Sequence, residues 1–263
     1  MHKLRLSLLI IVSIFSITTR ASYKVYLLHG FGGLGLEMEG VHKAIEEEGY
    51  SCENYTYMSL VKDVDLVGQL LFNKIQADDI DTISFVTHSM GALVVRSLYE
   101  HMDSLTCFPF IHRIVMIAPP NNGSPVADFL VQFSFINSII GPNINNLTTN
   151  PVTGAGKYPI PTCEVGLIAG TYGGDKGLNV FFTGENDGVL SPQQTKMGIE
   201  KDVVFVKSWH IGLLFNEKVM KLVVNFLENG NFTNESNTSV TEKRKIPIIR
   251  LIIEDVKVRL RGS

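Results

Sequence analysis

The run Ile83-Ser-Phe-Val-Thr-His-Ser-Met-Gly91 begins as an apolar, β-like stretch, ends in Thr87-His88-Ser89-Met90-Gly91 and continues as a helix-like pattern. A serine placed where a strand reverses directly into a helix sits on a sharp, strained turn. That turn exposes its hydroxyl, and the backbone N–H of the next residue, Met90, points into the space beside it. Small residues two positions away let strand and helix approach closely; the pattern G-x-S-x-G has Thr87 in its first place here. A serine hydroxyl is a weak nucleophile until a base takes its proton, and the base needs a carboxylate to orient it and stabilise its charge. A bare S-x-G is also an ordinary strand-to-helix turn, so the partners decide.

Two downstream segments offer those partners. Gly184-Glu-Asn-Asp187-Gly-Val places Asp187 at a turn after a strand-like stretch, and Ser208-Trp-His210-Ile-Gly212 follows the last strand-like run. Both positions fall where the crevice of an open α/β sheet lies, outside the carboxyl ends of its strands. Asp-Gly is also a common turn dipeptide, and Glu185, Asp175 and Asp202 compete as the acid; Asp187 ranks first by position. His88 is an alternative base, although neighbours on a tight elbow are expected to point their side chains apart. Leu27-Leu-His29-Gly30-Phe31-Gly32-Gly33 ends the first strand, and its glycines allow the backbone to turn toward the serine. The N–H groups of Phe31 and Met90 could then receive the charge of a tetrahedral intermediate, on the order of 3 kcal/mol per donor. A glycine-rich loop can instead cradle a phosphate; neither G-x-G-x-x-G in the right register nor G-K-S/T is read here, and the nucleotide reading is set aside.

The elements that must position these residues alternate regularly. Strands are expected at 23–29, 51–57, 83–86, 111–117, 165–169 and 203–206, with helices near 36–48, 61–75, 91–101 and 216–227. Strands apolar on both faces and separated by helices imply a mostly parallel, doubly wound α/β sheet covered on both sides. The alternation stops between Pro119 and Pro161, after the fourth strand. A connection this long is usually functional, and it reads as a cap-like insertion. Its aromatic stretch, with Phe129, Phe133, Phe135 and Ile136, is expected to contact an apolar acyl chain, or else to pack as additional core.

With 263 residues, the chain holds one large α/β domain plus a tail. A net charge of −3 with 19% charged residues argues against a nucleic-acid partner. Cys52, Cys107 and Cys163 are too few and too scattered for a disulfide framework or a zinc site; at most one bridge could form, leaving one thiol free, and no metal is expected. Lys3 and Arg5 precede an apolar run of about a dozen residues that ends in Thr18-Thr-Arg-Ala21. This reads as a signal peptide over 1–21 and implies a secreted or periplasmic protein, the alternative being a membrane anchor left uncleaved. Residues 22–230 form the catalytic domain with the 119–161 insertion, 231–245 a polar linker and 246–263 a tail of unassigned role. N-x-S/T sequons stand at Asn54, Asn146, Asn231, Asn234 and Asn237.

Over residues 23–230 the chain resembles α/β-hydrolases of the bacterial lipase and esterase kind. Thr87-His-Ser-Met-Gly-Ala92 is similar to their nucleophile motif, His29-Gly-Phe-Gly32 to their oxyanion loop and Asn186-Asp-Gly-Val189 to their acid motif. His210-Ile-Gly-Leu-Leu214 is similar to the histidine motif of small secreted lipases, and Ala118-Pro-Pro-Asn-Asn-Gly-Ser-Pro-Val-Ala-Asp128 to a segment common in this group. The resemblance implies cofactor-free hydrolysis of small-molecule esters or lipids through an acyl-serine, with contact at a lipid interface left open. By it Ser89 attacks, His210 shuttles the proton, Asp187 orients His210, and Phe31 and Met90 supply backbone donors. Thioesterases and acyltransferases use the same machinery, and a binding module on a hydrolase scaffold is the non-enzymatic alternative.

Overall fold

The structure, a computed structural model, describes residues 22–102, 108–133, 141–172, 179 and 181–233. Its strands are β1 (Tyr23–Leu28), β2 (Ser51–Tyr55), β3 (Thr82–His88), β4 (Phe110–Ile117), β5 (Glu164–Thr171) and β6 (Asp202–Lys207). They form one sheet in the order β2-β1-β3-β4-β5-β6 with every pairing parallel. The main helices are α1 (Glu39–Glu47), α2 (Val64–Ala77) and α3 (Gly91–Leu98), with α7 (Glu217–Asn229) last. Between β4 and β5 lie the short helices α4 (Pro125–Leu130) and α5 (Asn143–Asn146), and α6 (Pro192–Thr195) precedes β6.

Period-two alternation divides the core between the faces of the sheet. Tyr26, Leu28, Phe85, Ile114 and Met116 pack with α2 and α3, whereas Val25, Leu27, Val86, Val115 and Ile117 pack with α1 and α7. β3 is buried along its whole length, which accounts for its unbroken apolar reading. Helix ends follow side-chain chemistry: the Asp63 carboxylate caps α2 by accepting from Asp65 N, and the Asn216 amide oxygen caps α7 by accepting from Lys218 N. Gly230, at φ 71°, ends α7 in the left-handed region.

The chain runs from β1 outward to β2, then returns across β1 to β3 on its other side. The crevice at the C-terminal ends of β1 and β3 is therefore the topological switch point of the sheet, the expected place for a ligand. The folded domain also extends into the stretch read as linker. Phe232 is buried against Phe226, with ring centroids 4.9 Å apart, and its N–H donates to Asp202 Oδ2 at 2.6 Å. An isolated aromatic in a polar run carries no periodicity, so the pattern did not reveal this anchor. The segments read as signal peptide and tail lie outside the described residues.

Candidate active site

Ser89 occupies the turn between β3 and α3 at φ 50°, a left-handed conformation that costs a non-glycine residue of order 1–3 kcal/mol. The turn is fixed by Ser89 N–H donating to Ile117 O at 2.9 Å. Gly91 is the glycine the elbow requires: a Cβ there would stand 2.6 Å from Leu28 O and 2.8 Å from His29 O. Thr87, in the first glycine's place, lies wholly buried within the sheet, paired with Leu28 and Met116. The sheet accommodates its Cβ, but its Oγ1 is buried without a hydrogen-bond partner. Close approach to the serine is instead made by Gly30, whose added Cβ would sit 3.0 Å from Ser89 Cβ.

Ser89 and His210 border one open cleft of ≈ 350 Å³, whose walls include Gly30, Phe31, Leu34, Leu36 and Ile211. His210 Nδ1 donates to Asp187 Oδ2 at 2.7 Å, which leaves Nε2 as the basic nitrogen. Asp187 is itself immobilised: Oδ1 accepts from Val189 N at 2.9 Å and Leu190 N at 2.7 Å, and Asp187 O accepts from His210 N at 2.9 Å. The carboxylate is buried behind the imidazole, with 1% of its side chain exposed. Of the competing acids, Glu185 is exposed, Asp202 holds the amides of Val203 and Phe232, and Asp175 lies outside the described residues.

His88 corrects one expectation. It borders the same cleft as Ser89 instead of turning away, with its ring 4.9 Å from that of His210 and Nε2 3.4 Å from His210 O. Burial, reinforced by His210, holds its pKa well below the usual histidine value, so it stays neutral. It acts as a wall for His210.

The loop after β1, which carries the expected oxyanion donor Phe31, is held by Tyr57, just past the end of β2. Tyr57 OH donates to His29 O at 2.5 Å, and Tyr57 N donates to His29 Nε2 at 3.2 Å. That contact leaves the His29 proton on Nδ1, where it donates to Gly30 O at 2.8 Å. The two rings stack at 4.1 Å. The expectation that no G-x-G-x-x-G stands here needs correction, since Gly30, Gly32 and Gly35 have that spacing. However, Gly32 N is bonded to Ser59 Oγ, Gly33 N to Gly30 O and Leu34 N to the Glu37 carboxylate, so the loop offers no free amide cradle to a phosphate there. The N–H groups of Phe31 and Met90 have no acceptor among the described residues.

The 119–161 insertion fastens both sides of the site. Asn143, fully buried, donates to Ser59 O and Lys62 O, both at 2.6 Å, and accepts from Val64 N at 2.9 Å. Ser124 Oγ donates to Val189 O at 2.8 Å, behind the Asp187 loop, and Asn121 Nδ2 donates to Thr195 O at 2.8 Å. Nothing in the sequence marks Tyr57, Asn143 or Ser124 for these roles, because a lone polar residue in a loop carries no pattern. Phe129 and Phe133 lie outside the cleft walls and form an exposed cluster with Phe181, at centroid distances of 5.2 and 5.1 Å from Phe129. Phe135 and Ile136 lie outside the described residues. Asn146, within a sequon, is buried and donates to Asp63 Oδ2 and Asn143 Oδ1, so the folded chain offers no acceptor amide there.

A family model described as a domain of unknown function, DUF7379, matches residues 7–155. No curated protein matches the chain. Among solved structures, the mature lipase BlEst2 of Bacillus licheniformis is similar with a TM-score of 0.59 at 19% identity, over 79% of this chain and 90% of that one. A metagenomic carboxyl esterase gives 0.56 at 14%, over 74% and 66%. The type II thioesterase BorB of the borrelidin biosynthetic cluster gives 0.52 at 15%, over 79% and 92%. At these identities the likeness shows the fold, which is the α/β-hydrolase fold.

Proposed function

We propose that this chain, which belongs to the DUF7379 family, is a serine hydrolase that cleaves carboxylic esters through an acyl-serine intermediate. The observation that carries the reading is the hydrogen bond from His210 Nδ1 to a buried, doubly amide-bound Asp187, beside a cleft that also holds Ser89 on a strained elbow. A turn residue or a binding surface has no need of an orienting carboxylate behind a histidine.

In this mechanism His210 Nε2 takes the Ser89 hydroxyl proton as Oγ bonds to the ester carbonyl carbon. The carbonyl oxygen becomes the oxyanion and accepts from the N–H groups of Phe31 and Met90. As the intermediate collapses, the C–O bond to the alcohol breaks and His210 returns the proton to the leaving oxygen. Water then repeats the sequence on the acyl-serine and frees the acid. Leu34, Leu36 and Ile211 give the cleft apolar walls suited to the acyl chain, while Phe129 and Phe133, exposed outside those walls, are assigned to a lipid surface as part of this reading. The residues 1–21 reading as a signal peptide supports a secreted or periplasmic enzyme.

A fluorophosphonate probe should label the wild-type chain, and Ser89→Ala should abolish labelling. Parallel p-nitrophenyl esters should turn over faster with medium or long acyl chains than with acetate. Matched thioesters in the same panel separate esterase from thioesterase action. A well-folded wild-type sample that fails to label refutes the nucleophile and returns the binding-module reading.

A further inference from the structure

At the end of the sheet away from the cleft, α1 and β2 bring together three side chains of metal-ligating types. His42 and Glu46 stand one turn apart on α1, and Cys52 is the second residue of β2, the edge strand. One donor atom from each lies within 4.8 Å of the other two. His42 Nδ1 is shielded from solvent and has no hydrogen-bond partner, although Glu46 Oε2 at 3.8 Å and Glu39 Oε1 at 3.9 Å flank it. A buried ring nitrogen left unpaired costs about 1–3 kcal/mol and calls for a missing partner. Cys52 carries a free thiol, whose sulfur makes a long 3.6 Å contact with His42 O. Glu39 lies one turn before His42, with Oε1 3.9 Å from His42 Nδ1 and Oε2 accepting from Asn54 Nδ2 at 3.4 Å, so a further carboxylate stands within reach of the histidine.

We propose that His42, Glu46 and Cys52, with Glu39 or a water in the fourth position, form a structural zinc site that clips α1 to β2. One nitrogen, one sulfur and carboxylate oxygen suit a four-coordinate Zn²⁺, which binds such donors at about 2.0–2.3 Å. Glu39 and Glu46 are exposed at 65% and 55% of their side chains, so both are free to swing inward and close the donor spacing. Bond formation takes Zn²⁺ from solution, makes a Zn–S bond and releases the thiol proton to water, with no change of oxidation state. Counting cysteines argued against zinc because it asked for several thiolates; a mixed His/Glu/Cys set needs one. The clip is independent of the proposed ester chemistry, and its effect there is indirect, since β2 leads straight to Tyr57 and Ser59.

The test uses the full chain, freed of metal by a chelator and titrated first with Co²⁺ and then with Zn²⁺. The expected result is one metal per chain and a near-ultraviolet thiolate-to-cobalt charge-transfer band that Zn²⁺ displaces. Cys52→Ser should lose the band, and both Cys52→Ser and His42→Gln should weaken Zn²⁺ binding by more than about 10-fold, since even outer-shell losses cost that much. His42→Gln keeps the test decisive if Cys52→Ser does not fold, with circular dichroism as the check on each variant. No band in the wild-type chain, a band that persists in Cys52→Ser, or unchanged affinity in folded His42→Gln overturns the site.

Discussion

Tyr57→Phe isolates one link between the scaffold and the proposed oxyanion donor. The variant keeps the ring stacked on His29 and the backbone N–H bonded to His29 Nε2; it deletes only the hydroxyl that donates to His29 O. Burial pushes the Tyr57 phenol pKa upward, so the hydroxyl is a neutral donor at any working pH. His29 is 1% exposed, so water does not replace the lost donor, and an unsatisfied buried carbonyl costs about 1–3 kcal/mol of stability.

The effect on rate follows from position. His29 O belongs to the peptide that leads into Gly30 and Phe31, and losing its tether lets the Phe31 N–H drift from the oxyanion position. Complete loss of one such donor costs about 10²–10³ in kcat, so partial misplacement should cost on the order of 10-fold, or about 1.4 kcal/mol. KM should change by less than about two-fold, because Tyr57 is not a cleft wall and the lost term is specific to the transition state. Steady-state hydrolysis of a p-nitrophenyl ester, together with urea unfolding, reads both quantities. A stability loss of the expected size with kcat unchanged refutes the role of Phe31, and a KM rise with constant kcat refutes the placement of the substrate.

Asp187→Asn retains the acceptor for Val189 N and Leu190 N but presents an N–H₂ group to His210 Nδ1, forcing the proton onto Nε2; kcat should fall by about 10⁴ with little change in folding. A fall below about 10-fold would remove Asp187 from the mechanism. His112 is largely buried, and desolvation, with Arg113 and Lys201 adding to it against the opposing pull of Glu164, lowers its pKa from 6.5 to about 4. Because the unfolded chain protonates first, stability is full above pH 6.5 and declines between pH 6.5 and 4, by up to about 1.4 kcal/mol per pH unit. His112→Phe should flatten that part of the melting-temperature profile; an unchanged slope in the variant would show that His112 is not its source.

What the sequence reveals here depends on the range of the interaction. Strand and helix positions follow from periodicity, and β3 is legible because a central parallel strand must be apolar on both faces. The turn at Ser89 and the loops of Asp187 and His210 are each set by a few contiguous residues, so the three proposed catalytic side chains stand out before any contact is known. Their supports do not. Tyr57 reaches His29 across 28 residues and Asn143 reaches Ser59 across 84, and each is one ordinary polar side chain in a loop. Thr87 illustrates the reverse case: the local rule asks for glycine, while the sheet accepts its Cβ and the close approach is supplied by Gly30.

The long-range contacts also change what the 119–161 insertion means. Read from sequence it is a cap whose aromatics would touch an acyl chain, which makes it a determinant of substrate preference. Its buried polar side chains point inward to the loops that carry the proposed oxyanion donor and acid. On one side Asn143 fixes the 59–64 segment, whose Ser59 holds Gly32; on the other, Ser124 holds Val189, whose N–H holds the Asp187 carboxylate. Both loops that flank the proposed reacting atoms are thus tied to one segment that contributes none of those atoms. Changes at its exposed aromatics, Phe129 and Phe133, should then act on chain-length preference and KM, whereas changes at Asn143 or Ser124 should act on kcat by loosening the oxyanion loop or the acid. A cap that merely covered the substrate would give the same KM effect at both kinds of position.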